Sequence, residues 1–210
     1  MDNFKEKIIG LEQKYDELTY FCRRGNNPVI LTAVHTMMQK KENGEYKYAE
    51  PYTKAIAMYV AEQTDCFYLI KNKDTGIDSN SSVDDTFKSM LLDNIRDNDI
   101  KLVIDLHGAK REREFDVELG NLNNLSSDYS TLKELIEAFN ENGIFKVDVN
   151  EPFKGGFVTC KVYFETNCDV IQIEINWNYR DIERPENIKQ VCDSLISFIN
   201  QYIGIIKEND

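Results

Sequence analysis

The sequence predicts an α/β domain layered around a mixed sheet. Strand and helix signals alternate along most of its 210 residues, the order that gives parallel strands joined by crossover helices. Two of the strand runs, 29–34 and 100–106, are almost wholly apolar, as strands buried on both faces are. Toward the carboxyl end, strand-like runs follow one another between turns, which predicts some antiparallel pairing.

Residues 4–22 carry apolar groups at mixed spacing and predict a short helix or ordered arm before Gly25-Asn26-Asn27-Pro28 opens the first strand. The polar stretch 39–45 reads as a loop. Pro51 suits the first turn of the next helix, where its missing amide would have had no partner. That helix is expected to reach about residue 62, with Ile56, Ala57, Tyr59 and Val60 inward. A short strand at 67–70 leads into a loop at 71–82 rich in Asn, Asp, Ser and Gly. A helix over 87–96 stops at Asn98-Asp99, ahead of the central strand at 100–106. After a loop at 121–128, a helix over 131–140 is closed by Asn142-Gly143. Strands are predicted at 145–149, 157–164 and 170–175, and the last helix, 185–203, buries Ile188, Val191, Cys192, Leu195, Ile196 and Ile199. No repeat or low-complexity linker interrupts the chain, so one domain over 1–210 is expected.

With 37 acidic against 25 basic residues, the net charge of −12 opposes a nucleic-acid partner. The basic clusters Cys22-Arg23-Arg24 and Lys110-Arg111-Glu112-Arg113 are too short, and too poor in aromatics, to reverse that. Five cysteines with no close CxxC pair favour free thiols in a reducing cytoplasm. The amino terminus lacks the pattern of a signal peptide, and no run approaches the roughly 18 apolar residues of a membrane span. A cytoplasmic protein with no membrane and no obligate protein partner is expected.

The chain has two histidines, and both follow apolar runs: 29–34 leads to His35, and 100–106 to His107. Carboxyl ends of strands are where open α/β sheets hold their active sites, and two imidazoles with carboxylates nearby suggest one zinc ion. Hydrolytic zinc takes three protein ligands and leaves a position for water. Glu50, just after the His35 loop, is the best third ligand. Glu42 and Glu45 are its rivals, and a cysteine is less suited because Cys160 and Cys168 belong to a separate predicted hairpin. Asp105 shares a strand face with His107 and would orient it. Glu174, set between Ile173 and Ile175, is costly to bury as a carboxylate unless it faces a polar cleft or a partner, and it suits proton transfer from water to a leaving nitrogen. Arg111, Arg113 and Arg180 are candidate forks for a substrate carboxylate or an oxyanion, and Lys154 beside paired glycines is another cation for a carboxylate.

Taken in order, Val34-His35-Thr36, Lys47-Tyr48-Ala49-Glu50-Pro51-Tyr52-Thr53, Asp78-Ser79-Asn80, Ile104-Asp105-Leu106-His107-Gly108, Pro152-Phe153-Lys154-Gly155-Gly156 and Ile171-Gln172-Ile173-Glu174-Ile175-Asn176 resemble the N-formylglutamate amidohydrolase family over about residues 28–182. The resemblance implies a three-layer α/β/α fold of the phosphorylase/hydrolase-like kind shared with zinc carboxypeptidases. It implies a metal held by His35, Glu50 and His107, with Glu174 as general acid and base. The segment 152–156 would line the substrate side, and a neighbouring arginine would hold the substrate carboxylate.

The expected function is therefore zinc-dependent hydrolysis of a linear amide on a small carboxylate-bearing N-acyl compound or short peptide, with Glu174, Arg111 and Arg113 as catalytic residues. The rivals are a carboxypeptidase-like peptidase, a non-catalytic metal-binding protein, and a structural α/β domain that binds no metal.

Overall fold

A computed structural model describes residues 2–41 and 43–209. Helix α1 (Asp2–Glu12) and strand β1 (Tyr20–Arg23) precede the first long strand, β2 (Asn27–Ala33). A small hairpin of β3 (Gln39–Lys40) and β4 (Tyr46–Lys47) then leads to α2 (Thr53–Thr64) and β5 (Cys66–Lys71). After α3 (Thr86–Asp97) come β6 (Leu102–Ala109), β7 (Val117–Gly120), α4 (Tyr129–Glu141) and β8 (Val147–Val149). The chain finishes with α5 (Phe157–Glu165), β9 (Asp169–Asn176), a single 3-10 turn (Trp177–Tyr179) and α6 (Pro185–Asn209).

Seven strands form one sheet in the order β1-β5-β2-β6-β9-β7-β8. The four central strands are parallel, β1 lies antiparallel to β5, and β7 lies antiparallel to β9. The mixed sheet expected from the sequence is borne out. The chain moves from β2 outward to β5 and then returns past β2 to β6, so the strand order reverses between β2 and β6. Such a reversal opens a crevice beyond the carboxyl ends of the two strands.

The sheet has helices on both faces, giving three layers. Val29, Leu31 and Ala33 of β2, Leu102, Ile104 and Leu106 of β6 and Ile171, Ile173 and Ile175 of β9 pack against α1, α2, α4 and α6. On the other face Ile30, Val103 and Val170 meet α3 and α5. Side chains alternate faces along a strand, so further along this second face stand Thr32, Asp105 and Gln172, which are register neighbours. The next row is His107, Glu174 and Glu118. Along β2, β6 and β9 one face thus carries an apolar core up to the crevice, while the other turns polar toward it.

Some local expectations are corrected. Residues 157–164 are a helix, not a strand, because Val158, Thr159 and Val162 bury one face at helical spacing. No hairpin therefore holds Cys160 and Cys168; the former lies in α5 and the latter just before β9. The stretch 39–45 is not wholly loop, since Gln39 and Lys40 pair with Lys47 and Tyr46. Strands β1 and β7 were not anticipated, and α2 begins two residues after Pro51 rather than around it. The described cysteines are all unpaired. Among the described residues no helix is long and apolar enough to cross a membrane.

Candidate metal centre

His35 lies two residues past the end of β2, and His107 sits inside the last turn-ward part of β6, where the strand runs three residues further than its apolar pattern. Glu50 comes from the segment ahead of α2, and its backbone amide donates to the His35 carbonyl at 2.7 Å, which ties the two loop positions together. All three side chains are buried, at 2%, 1% and 4% exposure. One nitrogen of each imidazole and a Glu50 oxygen lie within 4.8 Å of one another. His35 Nδ1 is 3.1 Å from Glu50 Oε1 and 3.1 Å from His107 Nδ1, and His107 Nδ1 is 3.3 Å from Glu50 Oε2.

The outer ring nitrogens fix the chemistry of the inner ones. His35 Nε2 meets Asp78 Oδ1 at 2.7 Å, and His107 Nε2 meets Asp105 Oδ2 at 3.0 Å. A carboxylate only accepts, so each Nε2 carries the proton and each Nδ1 turns a lone pair inward in the neutral ring. Asp105 is itself held by the Thr32 hydroxyl, which donates to Oδ1 at 2.6 Å. Two such nitrogens facing each other and a carboxylate need a proton or a cation among them. Burial works against charge on His107, but Asp105 and Glu50 outweigh it and raise its pKa well above the ordinary value. Burial likewise opposes ionisation of Glu50, yet the two imidazoles hold its carboxyl well below the usual range. Asp78 is also lowered, its bond to His35 prevailing over burial. Two imidazoles, one carboxylate and a carboxylate behind each imidazole form a donor set that fits a divalent cation of the zinc type.

Glu174 stands beside His107 in the β6/β9 register and is 7% exposed. Among the described residues it pairs with no arginine. Gln172 Nε2 donates to its Oε1 at 3.0 Å, and Gln172 Oε1 accepts from the Gly156 amide at 2.8 Å. Burial raises the Glu174 pKa above the ordinary value, with His107 opposing and Glu50 adding to the rise. Its neighbour on β7, Glu118, is fully buried and pushed up to about 7 by burial and by the charge of Glu174. A Cβ on Gly156 would collide with the Asn80 side chain at 2.0 Å, so that glycine lets loop 78–80 and loop 152–156 close on each other.

Two adjoining cavities open above these groups. The first, about 400 Å³, is lined by Glu50, Tyr48, Trp177 and Arg111 among others; the second, about 570 Å³, by Glu174, Phe153 and Arg113. Lys47, Gly108, Ala109, Lys110 and Glu112 border both. Lys47 Nζ rests 2.6 Å from Glu50 Oε1. Burial disfavours its charge, but Glu50 outweighs that and raises its pKa. The Gly108 amide donates to Glu50 Oε2 at 2.9 Å, and a Cβ there would strike the Arg180 guanidinium at 2.3 Å.

The structure divides the candidate cations. Arg111 is exposed and pairs with Asp181 at 3.1 Å. Arg113 is exposed and lies over the Phe153 ring, 5.0 Å from its centroid. Arg180, in contrast, is buried and donates to the carbonyls of Ile175, Pro51 and Ala109, which makes it a strut under the cleft rather than a fork facing substrate. Lys154 is exposed beside Asn123 and Asn150, in a different hollow. Glu45 is exposed and bonds to Asn43, and Glu42 lies outside the described residues. Two side chains at the centre were not singled out from the sequence. In the sequence Asp78 reads only as part of a polar loop and of a motif, and Lys47 only as part of a motif. The alternation of Lys47 with Glu50 three residues on was the available signal for the latter.

A family model described as N-formylglutamate amidohydrolase matches residues 88–179, from α3 to the 3-10 turn. That segment holds His107 and Glu174, while His35 and Glu50 precede it. No curated protein matches the sequence. Among solved structures, the N-formylglutamate amidohydrolase of Ralstonia eutropha JMP134 superposes with a TM-score of 0.72 at 11% identity, over 91% of this chain and 99% of that one. A bacteriophage poly-gamma-glutamate hydrolase gives 0.60 at 14% identity, over 90% and 91%. A metallo-carboxypeptidase from Burkholderia cenocepacia gives 0.52 at 12% identity, over 95% and 68%. The resemblance read from the sequence is borne out, as is the architecture it implied. The family match over residues 88–179 supports an enzyme of the amidohydrolase kind.

Proposed function

We propose that the chain, as one domain, is a zinc-dependent hydrolase of a linear amide on a small carboxylate-bearing N-acyl compound, with His35, Glu50 and His107 as metal ligands. The observation that carries this reading is the convergence of those three side chains within 4.8 Å, each imidazole backed by a carboxylate. A divalent ion held there would supply Lewis acidity, which lowers the pKa of a water molecule and polarises an amide carbonyl.

The chain's own groups do the rest. Glu174, kept basic but with a raised pKa, takes a proton from the attacking water and hands it to the nitrogen as the C–N bond breaks. The hydroxyl of that water stays on the acyl carbon, so the products are a carboxylic acid and a free amine. Gln172, steadied by the Gly156 amide, donates to the Glu174 carboxyl and restrains its orientation. Lys47, at the junction of the two cavities, is the cation best placed to meet negative charge growing on the carbonyl oxygen. Arg111 and Arg113 stand further out, where a guanidinium fork would dock a substrate carboxylate.

Elemental analysis of protein purified without added metal tests the site, and free-amine release from N-formyl and N-acetyl glutamate, glutamine and aspartate tests the chemistry. About one equivalent of zinc and turnover of the acidic members are expected; absence of stoichiometric metal overturns the reading. The carboxylates behind the imidazoles give a graded test. Asp78→Asn is expected to weaken zinc binding by about 10–100-fold, read by competition with a chromophoric chelator, with the circular dichroism spectrum unchanged.

A further inference from the structure

We propose that the cleft takes an amide whose acyl and amine halves each carry a carboxylate, that is, an acidic dipeptide, oligopeptide or isopeptide rather than a single N-acyl amino acid. This rests on the hydrolase reading above and names the substrate class of the same site.

The first ground is where the reacting bond must lie. Glu50 lines one cavity and Glu174 the other, with Gly108 and Ala109 between them. An amide that both the Glu50 centre and the Glu174 carboxyl can reach therefore sits over the end of β6, and its two halves point into different cavities. Each cavity, at about 400 and 570 Å³, falls within the range of small-ligand sites by itself. The two share Lys47, Gly108, Ala109, Lys110 and Glu112 and so are the flanks of one cleft, of which a lone N-formyl amino acid would occupy one flank.

The second ground is charge. The chain carries a net charge of −12, yet the rim of this cleft holds Lys47, Lys110, Arg111 and Arg113. The ridge 110–113 divides its cations: Arg111 faces the first cavity and Arg113 the second. Among the described residues neither Lys110 nor Arg113 has an ion-pair partner, whereas Arg111 is held to its side by Asp181. At the border the two cavities share, Glu112 offsets the charge of Lys110 and Glu50 pairs with Lys47, so the cations particular to one side are Arg111 on the first flank and Arg113 on the second. Each flank also offers an apolar surface to the chain between the acids, Trp177 and Tyr48 on one side and Phe153 on the other.

The test uses the zinc-loaded full chain and blocked dipeptides, linked through α- or γ-carboxyls, with glutamate in both positions, in either one, or in neither, together with N-formylglutamate. The doubly acidic amide is expected to exceed each singly acidic one in kcat/KM by about tenfold or more. Arg111→Gln should erase the preference for the acid on one half only, and Arg113→Gln for the acid on the other half only. Equal or faster turnover of N-formylglutamate, or loss of the same preference in both variants, overturns the proposal. Calorimetric binding of the same panel to the Glu174→Gln protein reads the preference without turnover. If nothing is hydrolysed but that binding keeps the two-sided pattern, the hydrolase reading fails while the cleft's preference stands; if binding shows no such pattern, the preference falls whatever the turnover.

Discussion

Replacing Glu174 with Gln is expected to lower kcat for amide hydrolysis by about 10²–10⁴-fold, the usual contribution of a positioned acid–base group, while zinc content stays at that of the unaltered protein. The substitution is close to isosteric, and an amide can still face Gln172, so packing at the end of β9 is retained. What is lost is a group able to accept and then return a proton. Because burial raises the Glu174 pKa above its ordinary value, the unaltered enzyme should show an acidic limb in kcat/KM: activity falls as pH drops through that raised pKa and the carboxylate becomes protonated. The variant should have low activity and no such limb. A variant with full activity, or with the limb intact, would remove Glu174 from proton transfer and leave it a structural neighbour of His107. Retained zinc separates that outcome from loss of the metal.

Much of this centre was legible because strand periodicity and chemistry coincide in β6 and β9. Polar residues at every second position, Asp105 then His107 and Gln172 then Glu174, required one face to become hydrophilic near the strand ends, and the parallel register sets them side by side. Glu50 was also legible, since a short connection after His35 limits how far it can be carried. The chain's remaining contributions depend on long-range closure. Asp78 reaches His35 across 43 residues, through a loop whose position is set by the buried Lys71 and Lys88 ammoniums bonded to Ser79. Nothing local in Asp78-Ser79-Asn80 points at an imidazole. Arg180 misled for the opposite reason: a cation near a strand end looks available, but three backbone carbonyls consume its donors. The α5 segment was misread because its apolar and β-branched residues favour strand locally, while the sheet edge it would have joined is taken by β7 and β8.

His107→Gln should abolish stoichiometric zinc binding and with it measurable amide hydrolysis, while the domain still folds. Glutamine keeps a donor for Asp105, which is fully buried and would otherwise lose its imidazole partner and retain only the Thr32 hydroxyl. It offers a weak amide oxygen in place of a nitrogen lone pair, so the three-ligand set that zinc requires is broken. Thermal unfolding provides a readout independent of turnover. At a free zinc concentration 100 times the dissociation constant, a ligand that binds only the folded state stabilises it by about 2.7 kcal/mol, which for a chain of this size moves Tm by about 5–10 °C. The unaltered protein should show that zinc-dependent rise, and chelation should reverse it without unfolding the chain at room temperature. The variant should show the same Tm with and without zinc. A rise equal to that of the unaltered protein would place the ion elsewhere, because β6 carries no other side chain that reaches both Glu50 and His35.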